Sequence, residues 1–417
     1  MKRFYTILLL GLCAPAPYLL ADTDTNQPTD WIDPDTGHRV IRVSTEPGSE
    51  NFYFNVNAFT PDGKKMAFTA PSGIWVLDLD TLKIEPVVEG QHLRTIMVGR
   101  KTGRIFYSQR TNVYAADIES KSIQKIATFP RGMGVGSVNA DETILAGTVI
   151  LDPKAIEAQE AREREYESNA DSERKNRARN LDQRFDRRVP VELFFYDLTT
   201  GKTKTFLRGN DWLNHFLFSP TDPHLLMFCH EGPWHKVNRI WTMRTDGSEL
   251  TLVHKRTMAM EIAGHEFWGH DGQTIWYDLQ TPRGEDFWVA GYNVRTGART
   301  WYHLQRDEWS VHFNVSPDGK LFCGDGGDEN MVAHADNGKW LYLFRPELLP
   351  DLGGPEIVAK NLIRPGVFHA EKLVNMAKHD YALEPNATFT PDMKWLVFRS
   401  NLSGTNQVYA VELKKAE

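Results

Sequence analysis

Positive charge and cysteine are both in short supply in this chain. Among 417 residues, 48 Lys and Arg face 55 Asp and Glu, for a net charge of −7. Without a basic excess to neutralise phosphates, nucleic acid is excluded as the main partner. Three cysteines, Cys13, Cys229 and Cys323, are too few for a disulfide scaffold. The chain has neither Cys-x-x-Cys nor His-Glu-x-x-His, so it carries no zinc signature. It also has no Gly-x-Ser-x-Gly elbow, which argues against a serine hydrolase of the α/β-hydrolase kind. The apolar run from Phe4 to Leu12 is too short for a stable membrane span, and no second candidate follows.

That first run has another use. Lys2 and Arg3 precede it and Leu19-Leu20-Ala21 follows, the layout of a secretory signal spanning residues 1–21. The implied location is periplasmic or secreted. Cleavage would remove two cations and no acid, moving the net charge from −7 to −9. Residues 22–37 read as a polar leader, rich in Asp, Thr and Pro.

Aromatic residues are abundant, with 12 Trp, 13 Tyr and 22 Phe, which favours strands. From residue 38 to 417 one pattern recurs about every 40 to 50 residues. A turn such as Thr60-Pro61-Asp62-Gly63 or Ser316-Pro317-Asp318-Gly319 leads into an apolar strand, then into a second that ends on Asp-Leu or its like. Seven such units can be traced, the last beginning at Thr390-Pro391-Asp392. Short strands at this period predict an all-β, seven-bladed β-propeller. Arg39 to Val43 alternates like a strand and is expected to close the ring against the last blade.

Two stretches break the period. Residues 152–188, in the third unit, are highly charged, with Glu and Arg spaced for an exposed helix. They read as a helical insertion, either a solvated spur or a contact between copies in a homodimer. Arg184, Arg187 and Arg188 are the cations it could bring to a site. Residues 346–383 read as a second insertion delivering His369, His379 and Asp380 to the last unit.

Aligning the units on their turn residue brings polar groups into register. His215 lies five residues before Pro220, His265 five before His270, His312 five before Pro317, and Asn386 five before Pro391. Glu384 lies two residues from Asn386, on the same face of its strand. If the first strand of each blade lines the axis, these side chains share one height around a central pocket. His, Glu and Asn together suit a divalent cation of the Mn²⁺ or Ca²⁺ kind. Arg239 is a permanently charged fork suited to a carboxylate.

The densest polar stretch is Cys229-His230-Glu231-Gly232-Pro233-Trp234, followed by Arg239-Ile240-Trp241 and His265-Glu266-Phe267-Trp268. With Asn51-Phe52-Tyr53-Phe54, Trp212-Leu213-Asn214-His215 and the run from His312 to Gly326, these blocks resemble the oligogalacturonate lyase family. The resemblance implies a seven-bladed propeller that cleaves an acidic oligosaccharide by β-elimination. It implies His265 as general base and Arg239 as its assistant. His215, His230 and Glu231 become the residues expected to hold the substrate. It further implies a Mn²⁺ on His312 and on the last inner strand. There the family has Gln and two His, whereas this chain has Tyr381-Ala382-Leu383-Glu384-Pro385-Asn386. Glu384 and Asn386 are then the expected oxygen ligands, with His379 as helper. The rival expectation is a non-catalytic periplasmic propeller that binds or scaffolds.

Overall fold

A computed structural model describes residues 29–168, 177–350 and 362–416, with side chains 162–180 left aside. The signal segment therefore lies outside the described residues. No described helix is long and apolar enough to cross a membrane.

Strands dominate, paired antiparallel within four-stranded sheets in which sequence neighbours are spatial neighbours. The first unit runs Glu50–Asn51, Lys65–Ala70, Gly73–Asp78, Ile84–Glu89, and the second Arg94–Val98 to Ile123–Thr128. One eight-stranded sheet is two such units joined where Arg299–Leu304 runs parallel to Ile363–Asn375. Divided there, the sheets of the described residues make six units of four strands and one of five, the arrangement of a β-propeller.

The last unit is completed from the other end of the chain. His38–Arg42 pairs antiparallel with Gln407–Lys415, Val40 opposite Val411, and Asp30–Ile32 adds a fifth strand outside it. No unit can bury both of its faces alone, so the apolar side chains meet between sheets. Val76, Val98, Ile105 and Val397, from the first, second and seventh units, share one buried cluster. Phe195, Phe218 and Phe228 join the third unit to the fourth.

The charged insertion of the third unit contains two helices, α1 (Pro153–Ser168) and α2 (Arg177–Arg187), between the strands Ile144–Ile150 and Val191–Asp197. The stretch 346–383 differs from its reading as an insertion. It holds the thirteen-residue strand Ile363–Asn375, which pairs along the whole of Trp340–Leu348 and is the outer strand of the sixth unit. The distance between the two strands in sequence had hidden their pairing.

The inner strands share a local device. Pairing between first and second strands slips between Thr95 and Met97, Val135 and Ser137, Asn214 and Leu217, and Gly264 and Phe267. A bulge of this kind puts an extra residue on one strand and turns its side chain aside. In the fourth and fifth units the extra residues include His215 and His265. Their backbones are left-handed, with φ of 49° and 46°, and Asn386 in the seventh unit has φ of 53°. Such a conformation costs a non-glycine residue about 1–3 kcal/mol and collects at working sites.

Candidate active site

The bulges bring the inner-strand groups to one axial pocket. The ring centroids of His265 and His312 are 4.4 Å apart. Tyr53, from the first unit, lies 5.8 Å from His215 and 5.3 Å from His312. Asparagine amides tie the units together here. Asn51 donates to the Asn386 carbonyl, Asn55 to that of Glu266, and Asn314 to that of Phe54.

His312 is the most firmly held member. It is 1% exposed. Its Nδ1–H donates to Asp325 Oδ2 at 2.7 Å, and its backbone N–H donates to Asp325 Oδ1 at 2.8 Å. The Asp325 carboxylate also receives the Asn386 backbone N–H, at 3.0 Å. This leaves Nε2 as the unprotonated nitrogen, 3.3 Å from the Tyr53 hydroxyl and 3.9 Å from Glu384 Oε2. A carboxylate behind an imidazole is the usual support of a metal-ligating histidine. His312 Nε2 and the Glu384 carboxylate therefore fit as ligands for a divalent cation.

The other two expected ligands are placed differently. The Asn386 carbonyl oxygen accepts the Phe54 backbone N–H at 3.2 Å, and its amide nitrogen donates to the Glu384 carbonyl at 3.0 Å. It is spent on backbone and serves to position Glu384. His379 is buried, with Nε2 2.7 Å from the Leu383 carbonyl and Nδ1 2.8 Å from the Ser400 hydroxyl. Both nitrogens are occupied, so His379 leaves the ligand set. Burial lowers its pKa to about 4, as suits a neutral structural ring.

His265 is held more loosely. Its Nδ1 lies 3.5 Å from Asp278 Oδ2, beyond good hydrogen-bonding distance, and both Nδ1 and Asp278 Oδ1 are buried without a hydrogen bond. Its ring packs edge-on to Trp234 at 4.8 Å and to Phe54 at 6.2 Å. Burial pushes its pKa below the ordinary imidazole value, Asp278 opposes that, and His312 adds to it. At neutral pH the ring is uncharged. With Nδ1 toward Asp278, Nε2 is the nitrogen able to accept a proton.

Arg239 does not stand in the pocket as an open fork for a ligand. It is 3% exposed and lies between two glutamates, pairing with Glu231 through Nη1 and with Glu266 Oε2 through Nε at 3.0 Å. The Trp234 ring covers it at 4.7 Å. Burial alone would raise the pKa of both glutamates, but Arg239 and His215 outweigh it and keep both ionised. His215 Nδ1 is 2.9 Å from Glu266 Oε1 and 3.5 Å from Arg239 Nη2. Glu231, expected to hold substrate, is thus a partner of Arg239 and of the Trp234 indole at 3.2 Å. His230 points elsewhere, toward Asp211 at 3.3 Å and against Phe228 and Trp241.

His215, Cys229 and Glu266 bring donor atoms within 4.8 Å of one another, which would be enough to consider a metal. Their chemistry argues against one. Burial holds the Cys229 thiol protonated, and Arg239 already supplies the positive charge.

Tyr53, Trp234 and Asp325 lie in the blocks that carry the resemblance but were given no role there, and Asp278 was not singled out; all four belong to the site. The two aspartates had a usable signal. Asp278 sits opposite Gly264, next to His265, and Asp325 follows Gly324, which sits opposite Phe313, next to His312. Cys229, opposite Asn214, is the matching residue beside His215. Each histidine thus has its counterpart on the second strand.

The geometry defines a propeller whose axial pocket combines a neutral histidine, a carboxylate-backed histidine with a glutamate beside it, and a buried arginine–glutamate cluster. The oligogalacturonate lyase family matches residues 27–416, and the chain belongs to that family. It is similar to the oligogalacturonide lyase of Pectobacterium atrosepticum, 25% identical over 92% of this chain and 95% of that protein. The oligogalacturonate lyase of Dickeya dadantii is 24% identical over 91% and 94%. Two solved structures share the fold with a TM-score of 0.72, each covering 93% of this chain and 96% of theirs. One is an oligogalacturonate lyase in complex with manganese, at 23% identity. The other is the oligogalacturonate lyase of Vibrio parahaemolyticus, at 24%.

Proposed function

We propose that the chain cleaves oligogalacturonate-like substrates by β-elimination, with His265 as the base. The observation that carries this reading is a half-buried imidazole whose ring centre lies 4.4 Å from that of a second imidazole locked by a carboxylate. Membership of the lyase family and the names of its relatives support the reaction class.

The chemistry makes two demands. The proton on C5 of a uronate lies α to a carboxylate and is weakly acidic, so negative charge must be stabilised as it leaves. A base must also be unprotonated at working pH, which for a histidine means uncharged. His265 Nε2 takes the proton, the electron pair forms the C4–C5 double bond, and the O4 substituent departs. Asp278 orients the ring and stabilises the cation that forms on it. His312 Nε2 and Glu384 are the residues that would hold a divalent cation, Mn²⁺ being the first choice for a mixed nitrogen–oxygen set. Once bound, such an ion supplies the charge that neutralises the uronate carboxylate. Arg239 acts through its neighbours, fixing Glu266, and with it His215, and holding Trp234 beside His265.

The test is the ultraviolet absorbance of an unsaturated uronate on incubation with digalacturonate, with and without Mn²⁺. Absence of new absorbance under both conditions, and with longer uronides, would remove the proposal.

Two further readings rest on less. Export past the inner membrane is supported by the charged start, apolar run and small residue of segment 1–21. Fractionation of expressing cells, with the protein found only in the cytoplasm, would refute it. A homodimer through residues 152–188 is the reading for the charged insertion, and a monomer in sedimentation equilibrium would refute it.

A further inference from the structure

The axial channel continues past His265. Phe54, whose ring packs against those of His265 and His312, forms with Phe267 part of the wall of a further cavity on the axis. This cavity runs toward the turns that follow the inner strands, where Arg100 of the second unit and His270 of the fifth line it. Five residues lie between His265 and the turn at His270, about 16 Å of strand, so this end stands apart from the histidine pocket.

Arg100 supplies the charge of this cavity. Among the described residues no carboxylate lines it, and Arg100 makes neither a hydrogen bond nor an ion pair. Burial moves the Arg100 pKa down to about 10, with no acid acting to hold it up. The acids of the neighbouring turns are engaged elsewhere. Glu142 accepts from the Lys101 and Thr102 backbone N–H groups and pairs with Arg104. Asp271 accepts from the Gln273 and Thr274 N–H groups of its own turn. Arg239, by contrast, has two glutamates. Enclosing a cation without a counter-charge is unfavourable, and an anion entering the cavity would offset that.

Two further donors face the same space. The His270 imidazole is near enough for Arg100 to oppose its protonation, which leaves it neutral with one N–H to give. Ser137, buried on the inner strand of the third unit, has a hydroxyl with no hydrogen-bond partner among the described residues. A guanidinium fork, an imidazole and a hydroxyl make a donor set for oxygens that carry negative charge.

We propose that the turn end of the channel binds a small oxyanion, held by Arg100 with His270 and Ser137. Inorganic phosphate and the carboxylate of a single uronate present the same kind of oxygen to these donors. The site stands independently of the lyase reading.

The test is titration calorimetry of the full chain at neutral pH with inorganic phosphate and, separately, with galacturonate, each repeated on Arg100→Gln. The anion that binds should lose about tenfold or more in affinity in the variant, the worth of a hydrogen bond to a charged group. A loss seen with phosphate alone assigns the site to an inorganic oxyanion, and a loss with galacturonate alone assigns it to a sugar acid. Binding of neither, or binding unchanged by Arg100→Gln, would overturn the site. If Arg100→Gln does not fold, His270→Gln decides, since His270 is exposed at the mouth of the channel. An affinity about threefold lower, the worth of a neutral hydrogen bond, supports the site, and an unchanged affinity overturns it.

Discussion

His312 and His265 occupy equivalent places in neighbouring units, each with an aspartate on the adjoining strand, yet they are held in opposite ways. Asp325 grips His312 at 2.7 Å from the ring and 2.8 Å from the backbone. Asp278 stands 3.5 Å from His265, with no hydrogen bond formed. A ligand has to present one nitrogen in one direction, so a locked ring suits it. A base has to change charge during the reaction, and a carboxylate that can close on the ring as the charge appears suits that. On the proposed reading, the same pairing of residues, repeated by the propeller, would serve two functions through about 0.8 Å of separation. In the fourth unit Cys229 replaces the aspartate, and His215 turns instead to Glu266 of the next unit.

The comparison can be broken most severely at His265. His265→Ala should lower kcat about 10³-fold, within the usual worth of a general base, while His312 keeps its metal affinity. Asp325→Asn should instead weaken Mn²⁺ binding by ~10–100-fold, read by titration calorimetry, and leave the pH profile at saturating Mn²⁺ in place.

Asp278→Asn sharpens the contrast through pH. A base with a depressed pKa is active above that pKa and is lost by protonation below it. The acidic limb of kcat/KM should therefore lie below about 6.5, the ordinary imidazole value. Asp278 raises the His265 pKa against burial, so its removal should move the limb to still lower pH, with a loss of about tenfold at neutrality. A limb moving upward would reverse the assignment of the pair. The smallest effect is expected at Gly264, where an added Cβ would meet the Trp234 ring at 2.5 Å. Gly264→Ala should shift that ring and cost activity a few-fold, with the acid limb unchanged.

Arg239 belongs outside this series. Removing one partner of a buried ion pair leaves the other charge uncompensated, at about 3–5 kcal/mol. Arg239→Ala should therefore lower thermal stability first, and its activity is interpretable only beside a melting curve.

Much of this was legible in the chain itself. The turn residues repeat at a steady interval, and the positions of His215, His265 and His312 relative to them are a property of spacing alone. What spacing could not carry was pairing. The partners of these histidines sit on or just past second strands and on other units, so the roles of Asp278, Asp325 and Tyr53 become visible only once register is known. Arg239 read as an open carboxylate fork because spacing alone does not show that Glu231 and Glu266, 8 and 27 residues away, both turn toward it. His379 read as a ligand because nothing local reveals that the Leu383 carbonyl and Ser400 saturate it. The strand Ile363–Asn375 was hidden by the length of chain between it and Trp340–Leu348.

The measurement that bears most directly on the division of labour is paired metal analysis and uronide turnover for His265→Ala. The account predicts protein that holds as much Mn²⁺ as the unsubstituted enzyme and forms ultraviolet-absorbing product from digalacturonate about 10³-fold more slowly. A variant that still turned over at a comparable rate, or that lost its metal together with its activity, would contradict it.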